Sequence, residues 1–285
     1  MKLALGTAQF GLSYGIANNS GKVGQSEVAK ILTRARESGI DLLDTAIAYG
    51  ESETSLGLAG ADGFKVVTKL PTNINCDVDI WATQHLKASL NSLGVVAVYG
   101  LLLHRSEQLL GPDGQALANT LLKLKAEGFV SKIGVSIYAP EELDAVMRIC
   151  AIDLVQAPFN LFDQRLMTSG WLQRLHDAGI EVHVRSVFLQ GLLLMPRHHI
   201  PEKFLPWSAL FDRWHVWLAD AHSSAAEACL AFVNHPMIDR VVVGVDSITQ
   251  LNEILQAATN PPMAELPDLA FNDTNLINPS KWTFQ

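Results

Sequence analysis

The stretch KVVTKLPTNINCDVDIWATQHLKASLNSLGVVAVYGLLLHR, residues 65–105, decides how the rest of the chain is read. It opens on a β-branched run, Lys65–Lys69, and closes on an apolar run, Ala97–His104. Between them, VDIWATQHLKASLNSLG carries apolar residues at three-and-four spacing and stops at Gly94. A short strand pattern, a longer helical one and a second strand pattern make a unit of the kind that links parallel neighbours in a sheet.

The same alternation runs outward in both directions. Strands are expected at Lys2–Thr7, Asp41–Thr45, Lys65–Lys69, Ala97–His104, Lys132–Ser136, Leu154–Pro158, Glu181–Ser186 and Arg240–Val245. The intervening segments QSEVAKILTRARESG, GQALANTLLKLKAEG, PEELDAVMRIC and QRLMTSGWLQRLHDAG have helical periodicity. Eight strands alternating with helices in 285 residues point to a closed parallel (β/α)8 TIM barrel of the α/β class, folded as a single domain. An open doubly wound sheet is the competing architecture, but it usually places GxGxxG after its first strand, and that motif does not occur here. The barrel is expected to span residues 1–259, with an irregular tail, 260–285, wrapping it. The segment Met195–His235 is longer than one helix needs, so an extra helix is expected around SALFDRWHVWLADA. There is no internal repeat or low-complexity linker to mark a second domain.

Composition narrows the function. Apolar residues make up 48% of the chain and charged ones 18%, which suits a sizeable core. The net charge of -8, with no lysine- or arginine-rich run, argues against nucleic acid as a partner. Cys76, Cys150 and Cys229 are odd in number and lack a CxxC pair, as expected in a reducing compartment. No usable signal segment opens the sequence, and no apolar run is long enough to span a bilayer. The expectation is a soluble cytoplasmic protein with no membrane partner; composition says nothing of its oligomeric state.

Strand ends in such a barrel converge on one pocket. Asp44 ends the second strand in LDTAIAYGESETSLG, residues 43–57, and Tyr49 follows in its loop. Lys69 closes the third strand and His104 the fourth. Singly, each has an ordinary reading: a helix cap, a packed ring, a solvated strand end, a rim histidine. Together, on consecutive strand ends, they form a chemical set. A free phenol titrates near ~10, while an ammonium ~4 Å away contributes about 4 kcal/mol at an effective dielectric of ~20, enough to lower it by roughly three units. A carboxylate beside that lysine would keep it charged, and a neutral histidine would orient a substrate oxygen. The expected logic is that Asp44 holds Lys69, and Lys69 acidifies Tyr49 as a proton donor to a carbonyl.

With these residues in place, the chain resembles the aldo-keto reductase family. The resemblance rests on GTAQFG, LDTAIAYGESETSLG, VVTKL, LLLHR, IGVSIY, LVQAPFN and VVVGVDSITQLNE, in order over nearly the whole chain. It implies reversible hydride transfer between a nicotinamide cofactor and a small, polar aldehyde or ketone. Tyr49 would be the general acid, Lys69 and Asp44 its tuning pair, and His104 the substrate-orienting group. The implied cofactor-binding residues begin with Gly6, Thr7 and Ala8 at the first strand end. Ser136 and Gln156 would hold the carboxamide; Ser186, Gln190 and Gly191 would lie near the pyrophosphate. Gly244, Ser247, Gln250 and Glu253 would surround the adenosine.

Three departures from the family pattern stand out. Ile137 in SIY replaces a polar residue that often contacts the carboxamide. Arg185 occupies the place of an aromatic ring that often stacks on the nicotinamide; it is counted with the cofactor residues, but a guanidinium also grips carboxylate or phosphate. The basic residues that often clamp a 2′-phosphate are missing, and Asp246 and Gln250 stand there instead. The resemblance implies NADP(H), whereas a carboxylate at Asp246 favours the ribose diol of NAD(H). Arg105 and Arg185 have two readings, anion ligand or structural salt bridge. Trp282 and Phe284 either close over the substrate or dock outside the barrel. His198 and His199 lack partners at metal-ligand spacing, so no metal is expected. Trp214 and Trp217 have core spacing on a helix. Two other functions compete: a Schiff-base lyase or aldolase using Lys69 as nucleophile, and a non-catalytic nucleotide-binding subunit.

Overall fold

The computed structural model describes residues 2–18, 20–72 and 77–282; Cys76 and Phe284 lie outside them. Eight strands close into one barrel: β1 Leu3–Gly6, β2 Leu42–Asp44, β3 Lys65–Leu70, β4 Val98–Leu103, β5 Val130–Ser136, β6 Leu154–Pro158, β7 Glu181–Arg185 and β8 Arg240–Gly244. Every neighbouring pair is parallel, and β1 closes the ring on β8 with Gly6 opposite Gly244. Each expected strand is present and shifted by at most a residue or two at an end.

The helices form because their buried faces repeat at helical spacing. In Gln25–Glu37 the buried residues are Val28, Ile31, Leu32 and Ala35. In Val78–Leu93 they include Trp81, Ala82, Leu86, Leu90 and Leu93; the Asp77 carboxylate caps its start by accepting from the Ile80 amide at 3.0 Å. These faces pack on the outward residues of the strands in one continuous apolar shell. The barrel interior is a separate apolar layer of Ala4, Leu42, Val67, Leu102, Leu154 and Val242. That layer divides the interior into two polar ends.

Two local expectations are corrected. The run QRLMTSGWLQRLHDAG forms two helices, Arg165–Thr168 and Trp171–Asp177, because Gly170 takes a left-handed φ of 79° between them. The tail is not wholly irregular: Thr274–Ile277 and Pro279–Lys281 form short turns of helix. Its Trp282 is buried against Phe204, with ring centroids 4.9 Å apart, and donates to the Asn275 carbonyl at 3.0 Å. The extra helix spans Ser208–Asp220, with Trp214 fully buried and stacked on Trp217. Among the described residues no helix is long and apolar enough to cross a membrane.

Candidate active site

The polar group at the C-terminal end of the barrel starts from Asp44 on β2 and Lys69 on β3. Lys69 Nζ lies 2.8 Å from both Asp44 carboxylate oxygens and from the Thr45 carbonyl. An ammonium has three N–H donors, and all three are engaged. Gln156 on β6 donates Nε2 to Asp44 Oδ1 at 2.6 Å. A carboxylate only accepts, so this contact fixes the amide's orientation and leaves Gln156 Oε1 buried without a partner among the described residues. Ser136 stands opposite Gln156 across the β5–β6 pairing, and its hydroxyl makes no hydrogen bond among the described residues.

Tyr49 is placed by backbone contact. A Cβ on Gly11 would lie 1.7 Å from the Tyr49 carbonyl oxygen, and one on Gly50 would lie 2.7 Å from the Gly11 carbonyl. Only glycine permits this approach of the first and second loops, which is the local reason GTAQFG and AYG occur together. The phenol ring lies under Lys69, with Nζ 5.1 Å from its centroid, and edge-on to His104 at 5.7 Å. Its hydroxyl makes no hydrogen bond among the described residues.

Burial dominates the electrostatics of the group. Burial raises the Tyr49 phenol above its usual range, the Asp44 carboxylate raises it further, and Arg185 is the cation that opposes them. Burial lowers Lys69, against the pull of Asp44. The three Lys69 donors go to Asp44 and Thr45, so Lys69 makes no hydrogen bond to Tyr49. His104 fits its expected neutral state: burial, then the charges of Lys69 and Arg185, lower it to about 4.

Above this group opens a cavity of about 360 Å³. Asp44 and Tyr49 line it together with Gly6, Thr7, Ala8, Arg185, Ser186, Gln190, Gly191, Gly244, Gln250 and Glu253. Lys69, His104, Ser136, Gln156 and Ser247 do not line it. Ser247 is instead a helix cap, its hydroxyl accepting from the Gln250 amide at 3.2 Å. Gln250 folds back so that its Oε1 accepts from the Asp246 amide at 2.7 Å. Ile137 is buried in the apolar shell and contributes only its carbonyl, which accepts from Arg185 Nη2 at 2.9 Å.

Sequence reasoning missed Gln9, Tyr14 and Asn18, which line the same cavity. Asn18 donates to Asp246 Oδ1 at 3.2 Å, and Gln190 donates to the Tyr14 hydroxyl at 3.2 Å. The first loop thus lies across the cavity and meets the loops after β7 and β8. Its turn residues were visible in SYGIANNSG, but a turn signal carries no direction. Ser186, Leu189 and Gln190 hold positive φ angles of 58°, 49° and 54°. Such backbone costs about 1–3 kcal/mol per residue and gathers at ligand sites. At the next residue, Gly191, a Cβ would meet the Ala17 Cβ at 2.6 Å.

This donor set fits a nicotinamide nucleotide. The unpartnered Gln156 acceptor beside the Ser136 hydroxyl suits a carboxamide, which both donates and accepts. Among the described residues no group of three or more His, Cys, Asp or Glu side chains could hold a metal ion.

Comparison with known proteins agrees with this geometry. The sequence profile of the Aldo/keto reductase family matches residues 2–265. An aldo-keto reductase of Mycolicibacterium smegmatis is 32% identical over 139 residues, covering 45% of this chain and 46% of that protein. Aldo-keto reductase YhdN of Bacillus subtilis is 28% identical over 173 residues, covering 56% and 51%. The chain spans about half the length of the curated relatives it matches. Among solved structures, aldo-keto reductase AKR11C1 of Bacillus halodurans superposes with a TM-score of 0.74 at 20% identity, covering 92% of this chain and 88% of that one. The glycerol dehydrogenase AKR11B4 of Gluconobacter oxydans gives 0.70 at 21% identity, covering 92% and 88%. At these identities the structural likeness shows the fold alone.

Proposed function

The chain belongs to the aldo/keto reductase family, and from that premise we propose that it reduces the carbonyl of a small polar aldehyde or ketone, with Tyr49 as proton donor. One observation carries the reading. The Tyr49 hydroxyl is unbonded among the described residues, at a cavity wall shared with Asp44 and beside a neutral histidine.

A nicotinamide cofactor, when bound, supplies the hydride to the carbonyl carbon. The residues of the chain handle the oxygen. Tyr49 gives its proton to it, and neutral His104 orients it by hydrogen bond. The raised phenol is protonated throughout the neutral range, so the donor is always loaded. An oxygen taking on alkoxide character is a far stronger base than phenolate, so proton transfer from Tyr49 to it runs downhill. Asp44 and Lys69 act as a paired, nearly neutral unit against the ring. Ser136 and Gln156 would hold the carboxamide, while the strained loop Ser186–Gly191 would close on the phosphates.

The adenosine end favours NAD(H). Asp246 and Glu253 stand there, and Arg185, at the opposite end, is the one lysine or arginine among the cavity's described lining residues. The NADP(H) implied by family resemblance would bring a 2′-phosphate against carboxylates. The Schiff-base alternative is disfavoured because Lys69 is 1% exposed and fully hydrogen-bonded.

The test is a fluorescence titration with NADH and NADPH, followed by a panel of aldehydes and ketones with the tighter cofactor. Cofactor binding with turnover of at least one carbonyl is expected. Binding without turnover across the panel would leave a nucleotide-binding subunit.

A further inference from the structure

Three arginines meet at Tyr138, and they are not alike. Arg165 donates to the Tyr138 carbonyl at 3.0 Å and is neutralised by Asp163, which it contacts at 2.8 Å. Arg105 and Arg185 approach the Tyr138 ring instead, their guanidinium carbons 4.7 Å and 4.6 Å from its centroid. Neither has a carboxylate within salt-bridge reach among the described residues, in a chain with 29 acidic and 21 basic residues. The neighbouring acid, Glu142, is committed elsewhere. Its Oε1 accepts from the Tyr138 and Ala139 amides at 2.8 Å and 2.7 Å, and its Oε2 accepts from the Ser106 hydroxyl.

Arg185 is anchored at its rear by the Ile137 carbonyl and lines the cavity beside Tyr49. Arg105 follows His104 directly in the chain and is exposed. The fields of both arginines reach the His104 ring. Two ring-stacked cations with no carboxylate beside them, one of them lining the cavity with the proposed proton donor, are a poor arrangement for a neutral substrate, since like charges repel. Arg185 spends one N–H on the Ile137 carbonyl at 2.9 Å and one on the Ser186 hydroxyl at 3.3 Å, and the guanidinium N–H groups that remain can meet a carboxylate or phosphate.

We propose that Arg105 and Arg185, braced on Tyr138, form an anion clamp, so that the carbonyl substrate carries a carboxylate or phosphate group. The inference rests on the reading of the site as one that reduces carbonyls, and it also accounts for two departures from the family pattern. Ile137 gives up a polar side chain but supplies the carbonyl that positions Arg185, and Arg185 replaces a stacking ring with a charged group.

The test has two arms. Calorimetry with succinate and with inorganic phosphate, on cofactor-loaded protein, reads the clamp without turnover and separates the two anions. Binding of one of them, weakened at least tenfold in both Arg105→Met and Arg185→Met, is the expected result. Arg105 is exposed, so its variant folds even if Arg185→Met does not. The second arm compares succinic semialdehyde and a phosphorylated aldehyde with uncharged aldehydes of the same length. The wild type is expected to prefer one of the charged compounds at least tenfold in kcat/KM, and that ratio is expected to collapse in Arg105→Met through KM. NADH affinity measured in each variant assigns the loss to substrate rather than cofactor. Equal anion affinity in wild type and Arg105→Met, or equal use of charged and uncharged aldehydes by the wild type, would overturn the clamp while leaving carbonyl reduction intact. An anion bound through Arg105 with no carbonyl reduced would overturn the proposed reaction instead.

Discussion

The barrel has two polar ends separated by the apolar layer of Ala4, Leu42, Val67, Leu102, Leu154 and Val242, and the C-terminal one meets a cavity. At the N-terminal end Glu181 is surrounded by donors. It accepts from the Tyr99 hydroxyl at 2.7 Å, from His183 Nε2 at 2.8 Å and from Lys132, and these contacts hold its carboxyl well below the usual range against the opposing effect of burial. Lys65 and Lys132 also stack over the Tyr99 ring. At the C-terminal end the Asp44–Lys69–Gln156 core is equally tight, and Gln156 Oε1, the Ser136 hydroxyl and the Tyr49 hydroxyl have no partner among the described residues. Both ends bury charge. Each end leaves one buried atom without a partner among the described residues, His183 Nδ1 at the N-terminal end and Gln156 Oε1 at the C-terminal end, so what sets the C-terminal end apart is the cavity that Asp44 and Tyr49 line. An unpartnered polar group beside a cavity wall, rather than an unpartnered group alone, marks a site.

Substitutions at the two ends should therefore separate stability from activity. The largest effect is expected from Lys69→Met, which strands the Asp44 carboxylate in the interior. Breaking a buried pair in this way costs about 3–5 kcal/mol, and thermal melts and turnover should both fall sharply. Gly11→Ala should come next. Its methyl would collide with the Tyr49 carbonyl, so turnover should drop by roughly the 10²–10⁴-fold that a positioned acid contributes, while the melting curve moves less than in Lys69→Met. If Gly11→Ala kept normal turnover, backbone contact would not be what places Tyr49.

Glu181→Gln breaks the comparison from the other side. It should lose about 1.5–3 kcal/mol of stability through its charged hydrogen bonds, with kcat/KM unchanged for any substrate. A depressed carboxyl stabilises the fold above its unfolded value near ~4.3 and loses that contribution as pH falls. The wild-type advantage in melting temperature over Glu181→Gln should thus be complete at neutral pH and shrink on acidification below that value. His104 gives a smaller effect of the same direction. Its folded value of about 4 lies below an unfolded value near ~6.5, so the unfolded chain binds the extra proton and stability declines as pH drops through that window. Melts of His104→Gln from neutral pH to about pH 4 should show a flatter decline than wild type.

Much of this was legible in the sequence. Strand patterns are local, so LALG, KVVTKL and VYGLLL announced themselves, and strand-end residues followed once the barrel was recognised. The quartet Asp44, Tyr49, Lys69 and His104 could be read because the fold converts strand order into proximity. What could not be read was the allotment of hydrogen bonds. Three donors on Lys69 can serve a phenol or a carbonyl, and only the position of the Thr45 carbonyl decides between them. The same holds for Ser247, whose hydroxyl is equally suited to a cofactor or a helix cap. Gly170 interrupts a run whose periodicity is otherwise continuous, and its left-handed turn overrides that pattern. Tyr138 gave no sign of its position against two arginines, because the three residues come from the ends of three different strands, β4, β5 and β7.

The most direct test of the central claim is a single-turnover measurement on Tyr49→Phe loaded with NADH and mixed with the best carbonyl from the panel. The variant removes one hydroxyl that bonds to nothing among the described residues, so NADH affinity and melting temperature should stay at wild-type values. Hydride transfer should slow by about 10²-fold or more, the loss expected for a general acid. Transfer at nearly the wild-type rate would contradict the assignment of Tyr49 as the proton donor.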